Sequence, residues 1–222
     1  MSSRVVVLVE GKTELNFVRQ VLAPVIGLSG VYLHPQPGGK PGARVAGAHY
    51  SRIHREILAI LKQNTTQYCT TMYDYYALPD DWPGRVEASH ASTTEKPAII
   101  EKAVHRDICD RMGNDFNLRR FVPYIQMHEF EALLFSDVSI LAREAEIEES
   151  RLLNIVDSFS TPEEIDDSPK TAPSKRLLAL NGHYGKTLTG IAVAKRVGLD
   201  RIRKKCPHFN KWVGKLEQLG KT

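Results

Sequence analysis

The chain has 222 residues, 42% of them apolar and 25% charged, which is enough for one sizeable core and ordinary for a globular fold. No apolar run approaches the roughly 20 residues that a membrane span needs, and the N-terminus leads into an apolar run without the charged and apolar regions of a signal peptide. Cys69, Cys109 and Cys206 are odd in number and far apart, which excludes a disulfide framework or a CxxC metal site and predicts a cytoplasmic setting.

The net charge of +4 is unevenly spread. Residues 174–222 carry 12 Lys+Arg against two acids, a local +10, so the remaining 173 residues hold 18 basic and 24 acidic groups, or −6. An acidic body with a basic C-terminal quarter suits a polyanionic partner, although a solvated basic face has the same composition.

In chain order, Val5-Val6-Val7-Leu8-Val9 reads as a buried strand, and Glu10-Gly11-Lys12-Thr13-Glu14 ends it in two carboxylates around a turn glycine. Thr13 is the expected N-cap of a helix running to about Ile26, with Leu15, Val18, Val21, Leu22 and Val25 at helical spacing. Val31–His34 is a second short strand. Residues 35–42 read as loop from their proline and glycine density; Lys40 there could meet a phosphate, but the Walker spacing is absent.

A helix is predicted from about Ala48 to Gln63. The β-rich stretch Tyr68 to Tyr76 then forms a strand that delivers Asp74, closed by Ala77-Leu78-Pro79. A buried strand has no reason to carry an aspartate unless the side chain caps a turn or binds something. Residues 80–94 are predicted as polar loop and Glu95–Met112 as a helix. Phe121–Met127 reads as a strand that runs into His128-Glu129-Phe130-Glu131, where acids open a helix. His128 and Glu131 stand three apart and could share a helical face.

Residues 137–167 are acidic, helical in short pieces, and read as a solvated insertion or small helical subdomain. Helices at Ser174–Leu180 and Thr187–Val197 follow, the second ended by Gly198. The chain closes on a helix carrying Trp212, Val213 and Leu216, with Phe209 and Trp212 expected in the core.

Strands alternating with helices predict an α/β fold with a mainly parallel, Rossmann-like sheet. Acids at the ends of successive strands would converge on one edge, where ligands bind in such sheets. Carboxylates crowded together repel and raise one another's pKa, a conflict that Mg²⁺ or Mn²⁺ resolves. Such a metal can activate water and offset charge on a phosphoryl oxygen.

The motifs Glu10-Gly11-x-Thr13-Glu14, Asp74-Tyr75-Tyr76-x-Leu78-Pro79, His128-Glu129-Phe130-Glu131-Ala132-Leu133-Leu134-Phe135-Ser136-Asp137 and Cys206-Pro207-x-Phe209-x-x-Trp212 resemble a TOPRIM-like family of unknown function, the DUF4276 type. This resemblance spans nearly the whole chain. A broader one, to the TOPRIM domains of topoisomerases, bacterial primases and the overcoming-lysogenization-defect nucleases, spans about Val5 to Phe135. It implies a TOPRIM-like domain at residues 1–136 and a helical, basic extension at 137–222 packed on the same core.

The resemblance also implies roles. Glu10 matches the TOPRIM glutamate, Glu14 the second acid of the overcoming-lysogenization-defect version, and Asp74 the first aspartate of the DxD pair. Tyr76 replaces the second aspartate, so a full ligand set needs an oxygen from Glu129 or Glu131. The implied activity is Mg²⁺-dependent phosphodiester cleavage, with Glu10, Glu14, Asp74 and Lys186 as catalytic residues. Lys12, Lys186, Arg201, Arg203, Lys204 and Lys205 would hold nucleic acid. An AAA- or ABC-type ATPase of a mobile or defence locus is the implied partner; a catalytically degenerate adaptor for such an ATPase or for nucleic acid is the alternative.

Overall fold

A computed structural model describes residues 2–38, 49–165 and 171–221. At its centre lies β1 (Ser3–Val9), where β-branched side chains alternate between two apolar layers. Val5, Val7 and Val9 belong to one core and Leu8 to the other. After β1 comes a helical stretch in three pieces: α1 (Lys12–Phe17), a π-helical turn at Val18–Leu22, and α2 (Ala23–Ile26). Its N-cap is Gly11, not Thr13. The π turn falls just before Pro24, which has no N–H to continue the regular ladder.

The second strand, β2 (Val31–Pro37), runs further than its proline content predicts. It occupies the sheet edge, where a missing N–H can face away from the ladder. The part of the expected loop that includes Lys40 lies outside the described residues. Helix α3 (Tyr50–Gln63) leads to β3 (Tyr68–Asp74). The expected polar loop then contains α4 (Arg85–Ser89) and a buried Trp82, which packs on Tyr50 and Tyr73 at ring distances of 5.3 and 5.2 Å.

Helix α5 (Lys96–Met112) is followed not by one strand but by two short ones, β4 (Phe121–Val122) and β5 (Ile125–Gln126), both parallel to β3. Pro123 separates them, and the hydroxyl of Thr71 fills the gap by accepting from the Tyr124 N–H and donating to the Tyr124 carbonyl, each at 2.9 Å. The sheet is parallel, in the order β2-β1-β3-β4 with β5 also on β3. The fold is therefore α/β, flanked by helices and Rossmann-like. Its strand order reverses between β1 and β3, so the crevice at their carboxyl ends is the expected ligand position.

Beyond the sheet, Phe130–Ser136 is a 3-10 helix rather than a regular helix. Then come α6 (Val138–Glu144), α7 (Glu149–Val156), α8 (Pro173–Leu180), α9 (Thr189–Val197), α10 (Leu199–Lys205) and α11 (Pro207–Gln218). The acidic stretch read as a solvated insertion contributes Leu141, Ala142, Ile147, Leu152 and Ile165 to the same core as β1. Most of its charges sit on the outer faces and concealed that apolar stripe, while buried Glu163 accepts the His208 and Phe209 N–H groups at the start of α11.

Helix α11 is fastened beneath β3 by buried Trp212 and Phe209. The Trp212 indole stacks on Tyr124 at 4.2 Å and donates to Thr70 Oγ1 at 2.8 Å, while Thr70 donates to the Val122 carbonyl. Replacing Thr70 with valine keeps the shape but strands the indole N–H and that carbonyl. The expected loss of stability is roughly 1–3 kcal/mol, read as a lower midpoint in urea denaturation.

Candidate metal centre

The register of β1 on β3 pairs Val9 with Met72, so Glu10 emerges beside the end of β3. Glu10 donates its N–H to the Met72 carbonyl at 3.3 Å, and its Oε2 accepts the Asp74 N–H at 3.2 Å. The two acids are thus locked together by backbone. Glu14, buried at helix position N3, bends back so that its carboxylate accepts the Gly11 N–H and its own, one half of a capping box. A Cβ on Gly11 would stand 3.2 Å from Glu14 Oε2, so the glycine keeps that return path open.

From β5 the chain passes through His128, buried and in the left-handed region at φ 60°, whose carbonyl accepts the Tyr76 N–H at 3.2 Å. Such a conformation in a non-glycine residue is uncommon and concentrates at functional sites. It places His128 before the 3-10 helix, so His128 and Glu131 do not share a helical face. Glu129 is that helix's N-cap residue in an extended conformation, and Glu131 lies in its first turn.

Both glutamates meet one cation. Lys186 Nζ lies 3.4 Å from Glu129 Oε1 and 3.6 Å from Glu131 Oε2. Glu129 Oε2 also accepts the Ser174 N–H at 2.9 Å, so both of its oxygens are engaged. Glu131 Oε1 and Asp74 Oδ1 are sealed from solvent with no hydrogen-bond partner. Of the two, Glu131 therefore has the free oxygen, while Glu129 is taken up by Ser174 and Lys186.

Electrostatics show the five carboxylates as one cluster. Burial, then Glu14, pushes the Glu10 carboxyl from 4.5 up to about 7, against the pull of the Asp74 N–H. Burial raises Glu131 to about 7 as well, despite Lys186. Asp74 is driven well above its ordinary value by burial, then by Glu14, Glu10, Glu131 and Glu129. Burial also raises Glu14. Desolvation pulls Lys186 down, but Glu131, Glu129 and Asp74 outweigh it and leave its pKa raised.

When the five acids ionise, one lysine leaves an excess of negative charge in the recess, which a hard cation would neutralise. The oxygens of Glu10, Asp74 and Glu131 fit such an ion by chemistry and by the two partnerless atoms. Among the described residues, however, no three His, Cys, Asp or Glu side chains already stand in a metal-ligating arrangement. Lys186, with its side chain 43% exposed, occupies the mouth of the cluster as its counter-charge.

The remaining candidates divide. Lys12 is exposed at the start of α1, one residue beyond the glycine turn. Arg201 pairs with Asp137, and Arg203 makes a two-pronged pair with Glu217 at 2.6 and 3.0 Å. These two arginines hold α10 to its neighbours, whereas Lys204 and Lys205 are exposed at its end. Tyr76, where the TOPRIM resemblance expects a second aspartate, is exposed. Sequence reasoning missed the Ser174 N–H and the packing of Arg85 and Lys96 over Tyr75 at 4.4 and 5.2 Å. A backbone donor leaves no trace in residue identity, but two cations soon after the Asp74 strand were a readable signal.

A carboxylate with a raised pKa binds protons in the folded state that the unfolded chain releases. Stability from Glu10 and Glu131 is therefore fully present below about pH 4.5 and is lost as pH rises through about 7. Metal-free protein should melt lower at pH 8 than at pH 5.5, by roughly 5 °C or more, and millimolar Mn²⁺ at pH 8 should recover the difference. Differential scanning fluorimetry at the two pH values measures both effects.

No curated protein and no solved structure matches the chain. One family model does, over residues 9–217, a span that takes in every carboxylate of the cluster, Lys186 and the Trp212 anchor. The chain belongs to the family described as "Domain of unknown function (DUF4276)".

Proposed function

We propose that the protein is a metal-dependent phosphodiester-cleaving enzyme of TOPRIM type, a nuclease acting on nucleic acid in the cytoplasm and working beside an AAA- or ABC-type ATPase. The observation that carries this reading is the buried carboxylate cluster at the β1/β3 switch point, with partnerless oxygens on Asp74 and Glu131. Glu10, Asp74 and Glu131 would hold Mg²⁺ or Mn²⁺, with Glu14 behind them. The bound ion would supply an activated water and offset charge on a phosphoryl oxygen. Lys186 stands at the mouth, held by Glu129, where its ammonium can meet a phosphate once a cation takes Glu131 from it. Exposed Lys12, Lys204 and Lys205 are further positive charges open to a polyanion.

A second reading is an adaptor of the same shape that binds an ATPase or nucleic acid without cleaving it. Tyr76 in place of the second aspartate favours it, as does the lack of a ready-made ligand arrangement among the described residues. The two readings separate on a labelled oligonucleotide incubated with Mg²⁺ or Mn²⁺. The nuclease reading expects cleavage by the wild type, and a loss of at least about 100-fold in Glu10→Ala and Asp74→Asn. Undiminished cleavage in those variants would remove the mechanism. Mn²⁺ binding without any cleavage would leave the adaptor. Nucleic-acid affinity should fall steeply between 50 and 200 mM salt on either reading, as counterion release requires.

A further inference from the structure

We infer that the groove along the open edge of the sheet, between α5 and α11, binds the phosphate backbone of a nucleic-acid strand through Lys102, Lys211 and Lys215. This rests on the nucleic-acid reading above and adds to it a surface that shares no residue with the carboxylate cluster.

Three elements make the groove. Strand β4 ends the sheet order, so among the described residues no further strand covers its outer side. Helix α5 packs in one apolar layer through Ile100 and Val104, and α11 in the other through Phe209 and Trp212. Between the two helices lies a cavity of about 360 Å³, lined on the strand side by Phe121, Val122 and Pro123.

The charge around this cavity is almost all of one sign. Lys102 comes from α5, and Lys211 and Lys215 come from α11. All three are exposed, and none has an ion-pair or hydrogen-bond partner among the described residues. Lys211 and Lys215 stand about one turn apart, roughly 6 Å along the helix, and so share a face. Among the described residues Glu101 is the one acid lining the cavity, and it is already engaged. Its Oε1 accepts the Ile125 N–H at 3.0 Å and pairs with His208 Nε2 at 2.9 Å. Three uncompensated ammonium groups therefore border one cleft and repel one another until an anion enters.

The fold thus divides the basic C-terminal quarter. Arg201 and Arg203 are taken up by Asp137 and Glu217, whereas Lys211 and Lys215 stay open and are joined by Lys102 from a much earlier helix. Lysines meet phosphates as point charges, and a group of them gains a polyanion by counterion release. The side chains of Phe121, Val122 and Pro123 have no hydrogen-bonding groups with which to read a base edge, so the contact is with the backbone and independent of sequence. Lysines at a sheet edge also deter pairing with a second chain, but that role alone would leave nucleic-acid affinity untouched.

The test is fluorescence anisotropy with a labelled single-stranded oligonucleotide over about 50 to 200 mM NaCl, with Ca²⁺ in place of Mg²⁺ to hold back cleavage. Wild type is compared with the triple variant Lys102→Gln/Lys211→Gln/Lys215→Gln, and the melting temperature of each protein is the control for folding. The expected result is an affinity lowered by at least about 10-fold and a slope of log K against log salt reduced by about 2, roughly 0.7 for each of three phosphates. Mn²⁺ affinity should be the same in both proteins, because the cluster uses none of these lysines. An unchanged slope overturns the groove, whatever the affinity, and leaves the nucleic-acid reading standing. No oligonucleotide binding by the wild type overturns that reading, and this inference with it. Binding of polyglutamate but not of the oligonucleotide, lost in the triple variant, would assign the groove to an acidic peptide and overturn the inference.

Discussion

Everything at the carboxyl edge of this sheet depends on one electrostatic constraint. Glu10, Glu14, Asp74, Glu129 and Glu131 are gathered where water is scarce, and one lysine answers them. Left alone, such a cluster opposes folding, since each carboxylate loses hydration and repels the others. The chain tolerates it by engaging some oxygens with backbone N–H groups. Asp74 serves Glu10, Gly11 serves Glu14, and Ser174 serves Glu129. Asp74 and Glu131 each keep one oxygen outside this scheme. Buried carboxylate oxygens left without a partner beside others held by backbone N–H groups are the pattern expected of a site kept for a ligand.

The fold is arranged to hold that edge still. Strands β1 and β3 are central, and their register fixes Glu10 against Asp74 through two hydrogen bonds. The third acidic segment hangs from β5, and the Tyr76 N–H ties its entry at His128 back to the end of β3. From the other side, α8 brings the Ser174 N–H and the connection between α8 and α9 brings Lys186 from far along the chain. These helices share the core of β1, so the later half of the sequence completes a site that the first half begins. Trp212 and Thr70 lock α11 beneath the same strand that delivers Asp74.

Much of this was legible in the residues. The run Val5–Val9 and its abrupt acidic end announced a buried central strand, because β-branched runs of that length pack well in parallel sheets. Asp74 betrayed its position by standing at the end of a β-rich run. What stayed hidden was set by tertiary context. Pro123 split one strand into β4 and β5, with Thr71 making good the missing ladder bonds. The apolar stripe of residues 137–165 was masked by its acidic outer faces. Whether Glu129 or Glu131 faces the site depended on a left-handed residue and on one distant backbone N–H.

The most direct measurement is anomalous diffraction from crystals soaked in Mn²⁺. The account predicts a manganese peak bound by Glu10, Asp74 and Glu131 at about 2.0–2.4 Å, with Lys186 displaced from Glu131. A map with no peak there, and Lys186 still bridging Glu129 and Glu131, would contradict it.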